Sequence, residues 1–418
     1  MYLCDKTDSN SIVERINFEK LYFHTTLVFA FILPLSRAGI SILTALLILL
    51  WFIESDFKRK YREIISSRLL TLILIFLAYN ISSFLWSSNL DIAINIVEKI
   101  PYWVVIFVLA TSIKKESIQS IITAFLLGMF ISEIIAYGVF FELWTFKNAT
   151  PANPTPFMMH IDYSVYMAFS SILLLHRVFS KEYTLKEKIV LFLFFLTVTG
   201  NLFLSIGRTG QVALVAGIIV MSIIHFRLSL KSFFISFFLI FTIFTSAYNI
   251  SDSFEKRVSL AYSDIEKISN MNFNSSWGIR VAYWITSYNI FKQNPIIGVG
   301  IGDYMDKTKE ELEREKYSHL HQNVKTFMPK YHPHNQYLLI LLQLGIIGIL
   351  LFLYIIYKIF TLSIEDKEIK ELSILFGTIF FVSCIPESLL LKQFTIALFV
   401  LFIGLFSIFS ISKIEQNS

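Results

Sequence analysis

The stretch 337–359, YLLILLQLGIIGILLFLYIIYKI, decides the fold class. Its one charge, Lys358, sits at the end, and apolar residues would cover every face of a helix built from it. A bilayer core is about 30 Å thick and is crossed by about 20 mostly apolar residues. No water at that depth satisfies a peptide group, so the backbone must bond to itself, as a helix or a closed barrel. Barrel strands alternate polar and apolar residues. This run does not alternate, so it reads as a spanning helix. Runs of the same kind lie at Leu70–Phe84, Ile121–Phe141, Phe233–Tyr248 and Phe394–Ile411.

The composition agrees. Hydrophobic residues make up 55% of the chain and charged residues 16%, with mean hydropathy +0.64. Soluble domains carry about 25% charged residues. The net charge of +5 is too modest and too scattered for a nucleic-acid footprint. The two cysteines, Cys4 and Cys384, have no spacing that suggests a disulfide or a zinc site. The N-terminus is polar, and its first apolar run begins near Leu21. That is too late and too poorly flanked for a cleaved signal peptide, so the first span is expected to be retained.

About twelve spans fit between Leu21 and Ile411. Alternate loops gather the basic residues: Lys58 to Arg68, Lys114 and Lys115, Arg177 to Lys188, Arg227 and Lys231, then Lys358 to Lys370. The positive-inside rule places these in the cytoplasm, together with both termini. The opposite loops are short and poor in Lys and Arg, with one exception. Residues 250–334 are too polar to cross and too long for a simple connector, and long loops commonly carry function. The expected organisation is therefore 1–249, transmembrane helices 1–9; 250–334, a large periplasmic loop domain; and 335–418, transmembrane helices 10–12. The fold class is all-α and polytopic.

The sharpest local pattern is His334-Asn335, nine residues, then Gly345-Ile346-Ile347-Gly348. Pro333 stops a helix from extending backward, so span ten can start at Asn335 with His334 beside its N-cap. The partial positive charge there favours neutral imidazole, which suits a general base near neutral pH. Gly345 and Gly348, one turn apart, read as a close helix-packing face. The bland reading is a polar residue that merely ends a helix. Three arginines fall on the same side of the membrane: Arg37 in the first tight turn, Arg208 in Gly207-Arg208-Thr209-Gly210, and Arg280 at the start of an amphipathic stretch. Arginine forks match phosphate oxygens and keep their charge. Without acidic neighbours in sequence they suggest a lipid phosphate or pyrophosphate site, against the alternative of headgroup snorkelling, which suits Arg37 best. Glu387 lies at an extracytoplasmic helix end, either orienting a His or Arg or acting as a solvated cap. His319-Leu320-His321 and His332-Pro333-His334 form only a weak metal signal. Glu98, Lys99 and Glu133 read as an ion pair, or as a proton relay in a transporter.

Several of these residues carry a family resemblance. Arg280-Val-Ala-Tyr-Trp284, Asn294-Pro295-Ile-Ile-Gly298-Val-Gly300-Ile-Gly302, His334-Asn335-x9-Gly345-x2-Gly348 and the arginine of Gly207-Arg208-Thr209-Gly210 together resemble the O-antigen ligase and polymerase superfamily. The resemblance implies a GT-C-type, inverting, metal-independent glycosyltransferase without a cofactor. It implies a multi-pass protein of the bacterial inner membrane whose active site faces the periplasm. The donor would be a glycan on undecaprenyl diphosphate and the acceptor lipid A–core, with membrane lipids around both and no nucleic acid. His334 would activate or position the acceptor hydroxyl. Arg208 and Arg280, with Arg37 as a looser match, would bind the diphosphate, and Asn335, Glu387, Gly345 and Gly348 would support them. An O-antigen polymerase or a protein O-oligosaccharyltransferase of the same superfamily stays open. So does a membrane transporter, from a different class.

Overall fold

The computed structural model of the chain describes residues 17–411; Cys4 and the polar stretch 1–16 lie outside the described residues. Among the described residues all regular structure is helical, apart from one isolated bridge between Thr150 and Asn153. The first half holds α1 (Phe18–Ile32), α2 (Arg37–Ile53), α3 (Phe57–Ser66), α4 (Arg68–Ser82), α5 (Leu90–Val97), α6 (Ile100–Ser112), α7 (Ile118–Phe140) and α8 (His160–Phe179). It continues with α9 (Leu185–Leu204), α10 (Arg208–Phe226) and α11 (Leu230–Ile250). The long loop then folds into α12 (Asp252–Ser269), α13 (Ser276–Phe291), α14 (Tyr304–Leu312) and α15 (Gln322–Phe327). The chain closes with α16 (Gln336–Phe360), α17 (Lys367–Ser383) and α18 (Gln393–Ser407).

Each expected span falls on a helix. Eight helical runs among the described residues are long and apolar enough to cross a membrane, or nine if α2 and α3, bent by 112° at their junction, form one broken span. The others fall short for visible reasons. α1 has 15 residues and α17 has 17, while α8 is diluted by polar side chains, Asp162 and Arg177 among them. Helix starts follow the capping residues. Ser36, Ser67 and Asp366 accept from Gly39, Leu70 and Ile369 N–H, and Thr184 with Glu187 forms a capping box.

Burial sorts the helices by partner. In α18 every residue from Phe394 to Ser407 is buried, and α8 is buried from Asp162 to Arg177. These two form the centre of the bundle. By contrast α11 exposes Phe233, Phe234, Phe237, Phe238 and Phe241, a face made for lipid. The long loop has its own small core of Phe273, Tyr283, Leu312, Tyr317, Val324 and Met328.

One expectation needs correction. α16 is not a continuous span, and Gly345 is not a helix-packing contact. The helix breaks at Gly345, where φ is +64° and ψ is −159°. The Gly-rich segment of the loop fills the break. Val299 and Gly300 N–H donate to the Leu342 and Gln343 carbonyls at 2.8 and 3.0 Å, and Ile346 N–H donates to the Pro295 carbonyl at 2.8 Å. Peptide groups freed by the break are thus satisfied by protein, as the bilayer interior requires. A Cβ at Gly345 would lie 2.3 Å from the Ile296 carbonyl oxygen, so no other residue fits. This exchange ties the loop to the membrane bundle below the site.

Candidate active site

The start of α16 sets the first half of the site. Asn335 caps it by accepting the Leu338 N–H at 2.9 Å. The Gln336 N–H donates to the Cys384 carbonyl at 2.9 Å, and the Gln336 side chain accepts from Leu390 N–H at 2.9 Å. These bonds fasten α16 to the turn 384–391, which carries Glu387. His334 is thereby held against Glu387, its Nδ1 lying 3.2 and 3.3 Å from the two carboxylate oxygens. His334 pays for this position with a left-handed backbone, φ +48°. The Tyr283 ring meets its imidazole edge-on at 6.2 Å, and the Tyr283 hydroxyl donates to the Met328 and Tyr331 carbonyls.

Glu387 is fully buried and collects several partners. Ser388 N–H donates at 3.0 Å, Lys392 Nζ lies 3.4 Å away and His332 Nε2 lies 3.5 Å away. Lys392 also reaches Asp162 at 3.5 Å, at the first turn of α8. Burial alone would push the Glu387 carboxyl up. The His334 hydrogen bond, the Lys392 ammonium and the two imidazoles overcome it and hold the group well below the usual carboxylate range. An ionised carboxylate only accepts, so the His334 nitrogen facing it carries a proton, and in the neutral imidazole the lone pair is then on Nε2. His332 accepts the His334 N–H at 3.3 Å through its Nδ1, which places its own proton on Nε2. Burial pushes His332 down to about 4, against the pull of Glu387.

His332, His334 and Glu387 offer ligand atoms within 4.8 Å of one another, a spacing that a metal ion could use. The Lys392 ammonium already supplies positive charge to the same carboxylate. The group is therefore read as an acid–base cluster. His321 lies apart, capping α15 by accepting the Asn323 N–H.

The second half is a cavity of about 210 Å³. Arg208, at the first turn of α10, Arg257 of α12 and Arg280 of α13 all line it, with His160, Trp277 and Trp284. None of the three arginines has a carboxylate within 4 Å among the described residues, and one terminal nitrogen of Arg208 is buried with no partner. Arg280 donates to the Ser276 carbonyl at 2.9 Å and to the Pro386 carbonyl at 3.4 Å, next to Glu387. Burial lowers its guanidinium, with Glu387 and Asp264 pulling the other way. The cavity runs into an apolar groove of about 620 Å³ between α10, α11 and α12, with which it shares Arg208, Val212, Arg257 and Trp277.

Arg208 and Arg280 thus come together. His334 does not line their cavity; it connects to it through Pro386-Glu387. Arg37 does not line their cavity; it is exposed at the start of α2, with its guanidinium 5.6 Å from the Phe394 ring and its charge felt by Asp162. Gly345 and Gly348 lie within α16, away from both halves of the site. Tyr337 gives its hydroxyl to the Phe381 carbonyl, and Tyr331 is exposed and stacks on Phe327. No ion pair joins Lys99 to Glu98 or Glu133 among the described residues; Glu133 instead accepts from Thr197. Arg257, Lys392, Asp162 and His160 join the site without having been singled out in the sequence. Their only signal there was charge beside an apolar run.

A search of curated proteins gives no match. The O-antigen ligase family model matches residues 192–353, a stretch that holds Arg208, Arg257, Arg280 and His334. That match supports membership of the chain in the O-antigen ligase superfamily, a group of glycosyltransferase-like ligases and polymerases.

Proposed function

We propose that the chain is an O-antigen ligase. It transfers a glycan from undecaprenyl diphosphate to a hydroxyl of lipid A–core, at the periplasmic face of the inner membrane. The observation that carries this reading is the cavity of three arginines, with no carboxylate within 4 Å of them among the described residues, opening into an apolar groove. That combination suits an amphiphile with a strongly anionic head and a long apolar tail. Twelve crossings and a GT-C-type arrangement are part of the same proposal.

The chemistry follows from the charges. The acceptor hydroxyl oxygen attacks the anomeric carbon of the donor sugar. The bond from that carbon to the diphosphate oxygen breaks, and its electron pair leaves with the diphosphate. Arg208, Arg257 and Arg280 stabilise that growing negative charge in a partly dry site, where fixed charges act most strongly. The acceptor proton passes to His334 Nε2, and Glu387, on the opposite nitrogen, stabilises the imidazolium that forms. A single displacement inverts the anomeric centre, so no carboxylate nucleophile is needed. The arginines carry the role that a divalent cation has in other diphosphate sites.

Replacing the chromosomal copy with His334→Ala tests this in cells. The ligase reading predicts lipopolysaccharide without O-polysaccharide, and polymer accumulating on its lipid carrier. Single repeat units attached to core would mark a polymerase instead. Unchanged ladders would remove both.

A further inference from the structure

A second cleft lies between α7 and α9, apart from the arginine cavity, with a volume of about 710 Å³. That is the size of a small-molecule site. Its walls are apolar: Leu126 and Phe130 from α7, Val190, Leu193 and Phe194 from α9. Phe130, Val190 and Leu193 are exposed, so the cleft opens sideways from the bundle toward lipid. Trp144 closes one end, packed flat over Gly138 with its indole N–H on the Ile135 carbonyl.

Into this apolar space projects Glu133. It is 2% exposed, and only one of its carboxyl oxygens is bonded, accepting the Thr197 hydroxyl at 2.9 Å. The other is buried with no partner among the described residues. Two nearby donors are engaged elsewhere, while the Ser132 and Tyr163 hydroxyls and the Asn201 amide behind it are likewise buried with no partner among the described residues. The Tyr137 hydroxyl donates to the Thr197 carbonyl at 2.7 Å. Arg177, at the far end of the cleft, donates to Gln119 and Thr123. A carboxyl oxygen left unbonded in an apolar interior is costly, and ionisable groups inside a membrane bundle are seldom incidental. A plain hydrocarbon chain would leave the oxygen unbonded. An otherwise apolar chain with a hydrogen-bond donor satisfies both the walls and the oxygen.

We propose that this cleft binds a lipid whose chain, or chain linkage, carries a hydroxyl or amide N–H, and that Glu133 accepts its hydrogen bond. The site stands on its own observations and does not depend on glycosyl transfer, so its test reads binding.

The full chain is placed in phosphatidylcholine nanodiscs with one of two photoreactive phosphatidylcholines. One carries a hydroxyl on its labelled acyl chain and the other is its deoxy match. Labelled peptides are mapped by mass spectrometry. The hydroxylated probe is expected to label 126–134 and 190–197 about fivefold more than the deoxy probe, the worth of one hydrogen bond. Glu133→Leu should bring the ratio to one while both probes still label the cleft. Should that variant fold poorly, Leu193→Trp, which fills the cleft and keeps the carboxyl, should remove labelling there by both probes. Equal labelling by the two probes in the native chain overturns the proposal. So does a preference that survives Glu133→Leu, or cleft labelling that survives Leu193→Trp.

Discussion

At the scale of single residues the account turns on Glu387. It orients His334 by taking the proton-bearing nitrogen, and it is itself held ionised by Lys392 and the histidines. Glu387→Gln keeps the shape but removes the charge that stabilises the imidazolium. Turnover should fall about 10- to 100-fold with little change in donor KM, measured by steady-state transfer with purified protein. Arg208→Lys keeps a charge and loses the fork; a fall of about a hundredfold in kcat/KM is expected in the same assay. The buried His332 gives a pH prediction. Its folded-state value, about 4, lies below the ordinary 6.5, so the unfolded chain binds the extra proton first. Stability contributed by neutral His332 is therefore complete above about pH 6.5 and is lost as pH falls toward 4. The pH dependence of the detergent-solubilised melting temperature should flatten over that window in His332→Asn. His334, Arg208 and Arg280 were legible in the sequence because spacing and neighbours marked them. Arg257, Lys392 and Asp162 were not, because each gains its meaning only from a residue more than 100 positions away or on another helix.

At the scale of elements the break in α16 is the feature that the sequence concealed. Residues 337–359 are apolar apart from Gln343 and the terminal Lys358, so no period changes at Gly345. The partner that completes its hydrogen bonds, the segment around Pro295–Gly300, lies some way earlier in the chain. The second helix of the long loop was legible, since the amphipathic stretch that starts at Arg280 falls within Ser276–Phe291. Gly345→Ala would force a Cβ against the Ile296 carbonyl and a side chain into backbone angles that only glycine adopts freely. A loss of about 2–4 kcal/mol is expected, read as a lowered melting temperature in detergent. A melting temperature equal to the native one would show that the loop and helix are not joined as described.

At the scale of the whole molecule the all-helical, multi-span character was legible because composition alone specifies a lipid-facing helix, whereas eight or nine helical runs among the described residues, not twelve, are long and apolar enough to cross. The bundle's centre was not, because α8 is polar yet buried, and only packing reveals that. Topology is open to a direct check. α9, α10 and α11 lie between Lys181 and Lys309, an odd number of crossings, so the two residues belong on opposite faces. In a background lacking Cys4 and Cys384, cysteines placed at these positions should react with an impermeant maleimide from opposite sides. The central claim is that three arginines and a Glu387-held imidazole transfer a glycan from a lipid diphosphate to an alcohol. The most direct measurement is transfer by the purified full chain from undecaprenyl-diphosphate glycan to lipid A–core in EDTA. The account predicts glycosylated lipid A–core from the native protein and little or none from Arg208→Lys or His334→Ala. No product without added metal, or native rates from those variants, would contradict it.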